Sequence, residues 1–174
     1  LTVRIGGFQW SEPALVSDAG NSKRSDLMIR LRDDQGRELL LLLQNQLKRG
    51  SGGARTVAIL APYWILNHTG LPLEYKQSNR KNAAAGQRET PADRRSPEPF
   101  MFSCDDETNK SNHNKCQIRI GARSDWGPDV AIDVVGRAGT LRIRESDTHG
   151  PNAKVYEFGV MVNRGEGRFY PTKT

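Results

Sequence analysis

The sequence predicts an all-β fold: β-sandwich repeats of antiparallel strands carrying long polar loop insertions. Three observations carry that expectation. Apolar and polar residues alternate with the two-residue period of half-buried strands, helical periodicity is hard to find anywhere, and Gly and Pro punctuate the chain at short intervals. Short strands with frequent turn signals belong to sandwiches and barrels.

The strands follow in order. Thr2-Val3-Arg4-Ile5 alternates and reads as a strand, as does Leu27-Met28-Ile29-Arg30-Leu31-Arg32. Asp34-Gln35-Gly36 is turn chemistry, so the apolar run Leu39 to Leu47 reads as a buried strand of a hairpin rather than a helix. Gly50-Ser51-Gly52-Gly53 reads as the next hairpin connection. Ala61 to Tyr75 reads as a strand, a turn at Asn67-His68-Thr69-Gly70, and a second strand. Gln117-Ile118-Arg119-Ile120 and Thr140-Leu141-Arg142-Ile143-Arg144 alternate again. Two stretches, near 78–98 and 105–114, are polar without periodicity and are expected to be disordered loops, tolerated because closure entropy grows slowly with length.

The chain also resembles itself. Val3-Arg4-Ile5-Gly6-Gly7 matches Ile118-Arg119-Ile120-Gly121-Ala122, and Arg49-Gly50-Ser51-Gly52 matches Arg164-Gly165-Glu166-Gly167, both at an offset of 115 residues. The first pair is followed by Trp10 and Trp126 and by Pro13 and Pro128, and between the matches Ile29 to Gly36 resembles Ile132 to Gly139. Matches in order at one offset indicate a repeat. On this reading residues 1–55 are the closing half of one repeat and 56–174 most of the following one, cut from an array.

Composition bounds function mainly by exclusion. The 174 residues suffice for a core without disulfides or metals. The net charge of +6 invites a nucleic-acid reading, but the basic residues are dispersed: Arg80, Lys81, Arg88, Arg94 and Arg95 alternate with Glu89, Asp93 and Glu98. That is a solvated surface, and no nucleic-acid partner is expected. Cys104 and Cys116 are too few for a secreted disulfide framework and favour a reducing, cytosolic setting, with a single surface disulfide as the alternative. The sequons Asn67-His68-Thr69 and Asn109-Lys110-Ser111 matter only in a secreted chain. The longest apolar run, Leu39 to Leu43, is far short of the ~20 residues of a spanning helix.

Catalytic and metal chemistry are not expected. His113 with Cys104 and Cys116 lacks a fourth ligand in paired spacing, so no metal is assigned. There is no nucleophile elbow, and Gly50 to Gly53 is followed by neither Lys-Ser nor a helix, so it is not a phosphate loop. Asp33-Asp34 and Asp105-Asp106 sit in turns and loops as solvated charge. No catalytic residue and no cofactor are expected. The informative residue is Asn67, where the apolar run ends: its amide either closes an Asx-type turn or holds an extended peptide whose prolines lack N–H groups. Tyr63 and Trp64 carry a similar choice between core and binding platform, with core favoured.

Ala61-Pro62-Tyr63-Trp64-Ile65-Leu66-Asn67-His68-Thr69-Gly70-Leu71-Pro72-Leu73, with Ile132-Asp133-Val134-Val135-Gly136 and Tyr156-Glu157-Phe158-Gly159-Val160, resembles the adaptor-binding domain of the vacuolar protein sorting-associated protein 13 family. The closing Gly167-Arg168-Phe169-Tyr170-Pro171-Thr172-Lys173 fits it too. The resemblance implies an array of β-sandwich repeats that binds Pro-x-Pro motifs in protein adaptors. Such binding recruits a large bridge-like lipid transfer protein to organelle membranes and contact sites, with membrane association indirect and the protein cytoplasmic. It implies Asn67 as the adaptor-binding residue of this repeat. The alternative is a structural spacer repeat without its own ligand. The Trp-Ser pair of the family stands as Trp10-Ser11 in the first copy and as Trp126-Gly127 in the second.

Overall fold

A computed structural model describes residues 1–14, 16, 24–87, 94–105, 114–145 and 154–166. The strands are β1 (Arg24–Arg32), β2 (Glu38–Leu47), β3 (Arg55–Leu60), β4 (Tyr63–Ile65), β5 (Leu73–Gln77), β6 (Phe100–Phe102), β7 (Lys115–Ile120), β8 (Val130–Ala131), β9 (Ala138–Arg144) and β10 (Val155–Met161). All pairings are antiparallel, in the orders β1-β2-β3, β10-β9, β4-β6 and β5-β7-β8, and the only helical element described is a 3₁₀ turn at Gly121–Arg123. The expected all-β, antiparallel class is what the chain adopts.

The Leu39 to Leu47 run is a strand for a local reason. Asp33 accepts from the N–H groups of Gln35 (3.0 Å) and Arg37 (2.8 Å), closing the turn that sets Leu31 opposite Leu39 and Ile29 opposite Leu41. Those four residues are buried together with Leu43. Gly36 takes a φ of 72° there, the left-handed region open to glycine at no steric cost. Gly50 to Gly53 connects β2 to β3 as expected.

Two apolar clusters result. The first gathers Phe8, Ile29, Leu31, Leu39, Leu41, Leu43, Ala61 and Ala85. The second gathers Tyr75, Phe102, Cys104, Cys116, Ile118, Leu141 and Ile143. β4 stands between them: Trp64 packs on the first cluster, and Tyr63 and Ile65 on the second, as strand alternation requires. Tyr63 and Trp64 are thus partly buried against the two clusters, and both also line the groove described below.

Three expectations are corrected. Thr2 to Ile5 is not a strand; Val3 bonds instead to Ser11, its carbonyl accepting the Ser11 N–H (2.9 Å) and its N–H donating to Ser11 Oγ (2.9 Å). Among the described residues no strand lies beside it. Ile29 lies within β1 whereas Ile132 follows β8, so that sequence match does not correspond to equivalent strands. The bridge from Phe8 to Asp33, just after β1, is matched by the bridge from Ser124 to Glu145, just after β9, so by position β9 rather than β8 resembles β1, with Leu141 and Ile143 buried as Ile29 and Leu31 are. The stretch from residue 78 begins packed, not solvated: Ser78 and Ala85 are buried, and Gly86 and Gln87 make the contacts described below. Small residues explain the miss, since a Cβ on Gly86 would lie 2.8 Å from the Phe8 ring. Residues 88–93 and 106–113 lie outside the described residues.

Candidate functional site

A groove of about 820 Å³ opens beside β4. One wall is Tyr63 to Leu66 with the Asn67–Thr69 turn at its rim, the other is Phe158 to Val162, and the floor includes Leu73, Tyr75, Ile118, Val130 and Ile132. β4 pairs only with β6, and β10 only with β9, among the described residues. The β10 wall therefore presents a strand edge, whose outward N–H and C=O groups are ready partners for an extended chain.

Asn67, the residue singled out from the sequence, is half-buried and forms an Asx turn. Its Oδ1 accepts from the Thr69 N–H (3.0 Å) and the Thr69 hydroxyl (2.7 Å), and its Nδ2 donates to the Leu71 carbonyl (2.8 Å). Thr69 Oγ1 in turn accepts the Leu71 N–H (3.1 Å). One Nδ2 hydrogen remains beyond these bonds. The turn is braced from outside: Arg94 Nε donates to the Thr69 carbonyl (2.8 Å), and Gly70, at φ 74°, faces the Arg94 side chain so closely that a Cβ would lie 2.5 Å from Nε.

Sequence reasoning did not assign the wall at Phe158 to Val162 to a site. The signal was present in the alternating Tyr156 to Val160, but which edge of a strand stays open is a property of topology. It also missed the edge cap on β5. There Gln87 imitates a peptide group: its Oε1 accepts the Tyr75 N–H, and its Nε2 donates to the carbonyls of Tyr75 (2.7 Å) and Ala84 (3.0 Å). Ala84 adds a backbone bond to the Tyr75 carbonyl (2.8 Å). β5 is thereby closed on the side away from β7.

Burial holds two of the groups lining the groove, Cys116 and Tyr75, in their neutral forms. Burial pushes the Cys116 thiol up to about 12, with the Asp129 charge adding to it, and burial raises the Tyr75 phenol. A neutral buried thiol is a small hydrophobe rather than a nucleophile. Cys104 and Cys116 are both buried and form no disulfide, so the surface-disulfide alternative does not apply. His68 is exposed, its Nδ1 3.3 Å from the Arg94 carbonyl, while His113 and His149 lie outside the described residues.

No helix among the described residues is long and apolar enough to cross a membrane. Comparison with known proteins gives one consistent result. The family model described as vacuolar-sorting associated protein 13, adaptor binding domain, matches residues 1–174. The chain is 32% identical over 150 residues to the human intermembrane lipid transfer protein VPS13D, covering 83% of this chain and 3% of that protein. It is 33% identical over 144 residues to the Drosophila melanogaster intermembrane lipid transfer protein Vps13D, covering 81% of this chain and 3% of that protein. It is 30% identical over 176 residues to the Chaetomium thermophilum intermembrane lipid transfer protein VPS13, covering 95% of this chain and 5% of that protein. It thus spans only a small part of the length of each relative, and it belongs to the family of vacuolar-sorting associated protein 13 adaptor binding domains.

Proposed function

We propose that this chain is a non-catalytic protein-interaction module of a large intermembrane lipid transfer protein, binding a Pro-containing adaptor segment in the groove along β4. The observation that carries the reading is the groove itself: an apolar trough between β4 and β10, with Asn67 at its rim. β4 is three residues long, so its edge offers few main-chain bonds. A ligand there gains more from apolar contact with Tyr63 and Ile65 than from a ladder, which suits prolines, whose missing N–H groups need no partner and whose extended form is preset. The remaining Nδ2 hydrogen of Asn67 then donates to a peptide carbonyl. Through the adaptor the parent protein is held peripherally at the cytoplasmic face of an organelle membrane.

The test is the affinity of the chain for Pro-x-Pro peptides before and after Asn67→Ser, with melting curves for both. A several-fold loss of affinity with a folded variant is expected; equal binding removes Asn67 from the site.

The bonds from Asn67 to Thr69 and Leu71 favour a second reading, in which Asn67 only closes the turn and this repeat is a structural spacer. It predicts a lower melting temperature for Asn67→Ala with no change in any partner interaction.

A further inference from the structure

Ser96 is the one serine in the chain followed by a proline. It stands in Arg94-Arg95-Ser96-Pro97, a segment outside any strand, and Arg94, Arg95 and Ser96 are all exposed. The Ser96 hydroxyl makes no hydrogen bond among the described residues. A residue before proline is held towards extended backbone, the form in which a substrate chain crosses a kinase, and the proline brings no N–H for the enzyme to satisfy.

This serine differs from an ordinary surface hydroxyl in what lies two residues before it. Arg94 touches the Asn67 turn in three ways. Its Nε donates to the Thr69 carbonyl (2.8 Å), its stem lies across Gly70, where a Cβ would be 2.9 Å from Cγ, and its carbonyl is 3.3 Å from His68 Nδ1. Of the five N–H donors of the guanidinium only the one on Nε is used; Nη1 and Nη2 make no hydrogen bond and no ion pair among the described residues. That free end of the fork is the end that takes two oxygens of a phosphate side by side, and the Thr69 bond does not have to break for it to do so.

We propose that Ser96 is a phosphorylation site for a serine/threonine kinase directed to Ser-Pro, and that its phosphate locks Arg94 onto the Asn67 turn. In the step, Ser96 Oγ bonds to the γ-phosphorus of ATP as the bond from that phosphorus to ADP breaks, and the hydroxyl proton leaves to a base of the kinase. The phosphate, with a charge of about −1.5 to −2, takes the Nη pair while Nε stays on Thr69. One guanidinium then ties residues 94–96 to the turn. Thr69 is bonded through its N–H and its hydroxyl to Asn67 Oδ1, so the brace reaches the residue at the groove rim. A turn held more firmly leaves less ordering for a ligand to impose, so phosphorylation strengthens binding in the groove. That last consequence rests on the adaptor reading; the site and the brace do not.

The test is made on the full-length protein, treated with ATP and a cyclin-dependent or a mitogen-activated kinase, with Ser96→Ala beside it. Mass spectrometry maps the phosphate and separates Ser96 from the upstream Thr90-Pro91. Phosphate at Ser96 is expected, and Pro97→Ala should abolish it; none from either kinase overturns the site. Hydrogen exchange at the Thr69 and Leu71 amides should slow several-fold on phosphorylation of the wild type and not of Ser96→Ala. Arg94→Lys, which keeps the charge and loses the fork, should take the phosphate without the slowing. Unchanged or faster exchange in the wild type overturns the brace, as does slowing that persists in Arg94→Lys. Affinity for a Pro-x-Pro peptide should rise several-fold with the phosphate, and slowed exchange with unchanged affinity overturns the coupling. If the peptide binds neither form, the adaptor reading fails and the exchange alone decides the site and its brace.

Discussion

Single side chains close the turns of this molecule and tie its parts together. Asp33 closes the β1–β2 turn, pairs with Arg37 (2.7 Å) and accepts the Gly86 N–H (3.1 Å). Burial alone raises its carboxyl, but the bonds from Gly86 and Arg37 outweigh that and hold it below the ordinary value of 3.8. A depressed folded pKa means stability that is present above pH 3.8 and lost as pH falls through the lower folded value. Asp33→Ala should therefore cost about 2–3 kcal/mol near neutral pH, and less in acid, measured by urea unfolding across pH. The sequence marked Asp33 only as solvated turn charge, because its most distant partner, Gly86, sits in a stretch read as disordered. Asn67 was legible further: the end of an apolar run before Thr-Gly states the turn, and the structure supplies the bonds.

At the scale of elements, strands were legible where alternation met a neighbour and not otherwise. β1, β2, β7, β9 and β10 fall on alternating or apolar runs, whereas Thr2 to Ile5 alternates equally well and stays outside any sheet. Edge management was not legible, because it is done by a side chain from a polar stretch. Gln87→Ala removes the cap on β5 and leaves the Tyr75 N–H and C=O with one partner fewer each. The expected cost is about 1–2 kcal/mol, with faster hydrogen exchange at Tyr75 than in wild type. Restoring the amide with Asn should not rescue it, since the shorter side chain cannot reach both groups.

The described residues gather into two apolar clusters joined at β4, and the second responds to alkali. Cys116 titrates near 9.0 when unfolded and near 12 when folded. A raised folded pKa leaves stability unaffected below 9.0 and erodes it as pH rises towards 12, at most about 1.4 kcal/mol per pH unit. The melting temperature should be level from pH 6.5 to 8.5 and fall above 9, and Cys116→Ala should flatten that fall while lowering stability at neutral pH. At this scale the sequence conveyed class and family, through its alternation and through Pro62 to Leu73. It could not convey the groove, whose walls are nearly a hundred residues apart in the chain and meet only through the sheet order. The groove is also where the functional reading stands or falls. The most direct measurement is to photo-cross-link a Pro-x-Pro peptide to the full-length protein and map the adducts by mass spectrometry. Adducts on Tyr63 to Thr69, competed by unlabelled peptide, are predicted; competed adducts confined to other surfaces, or none at saturating peptide, would contradict it.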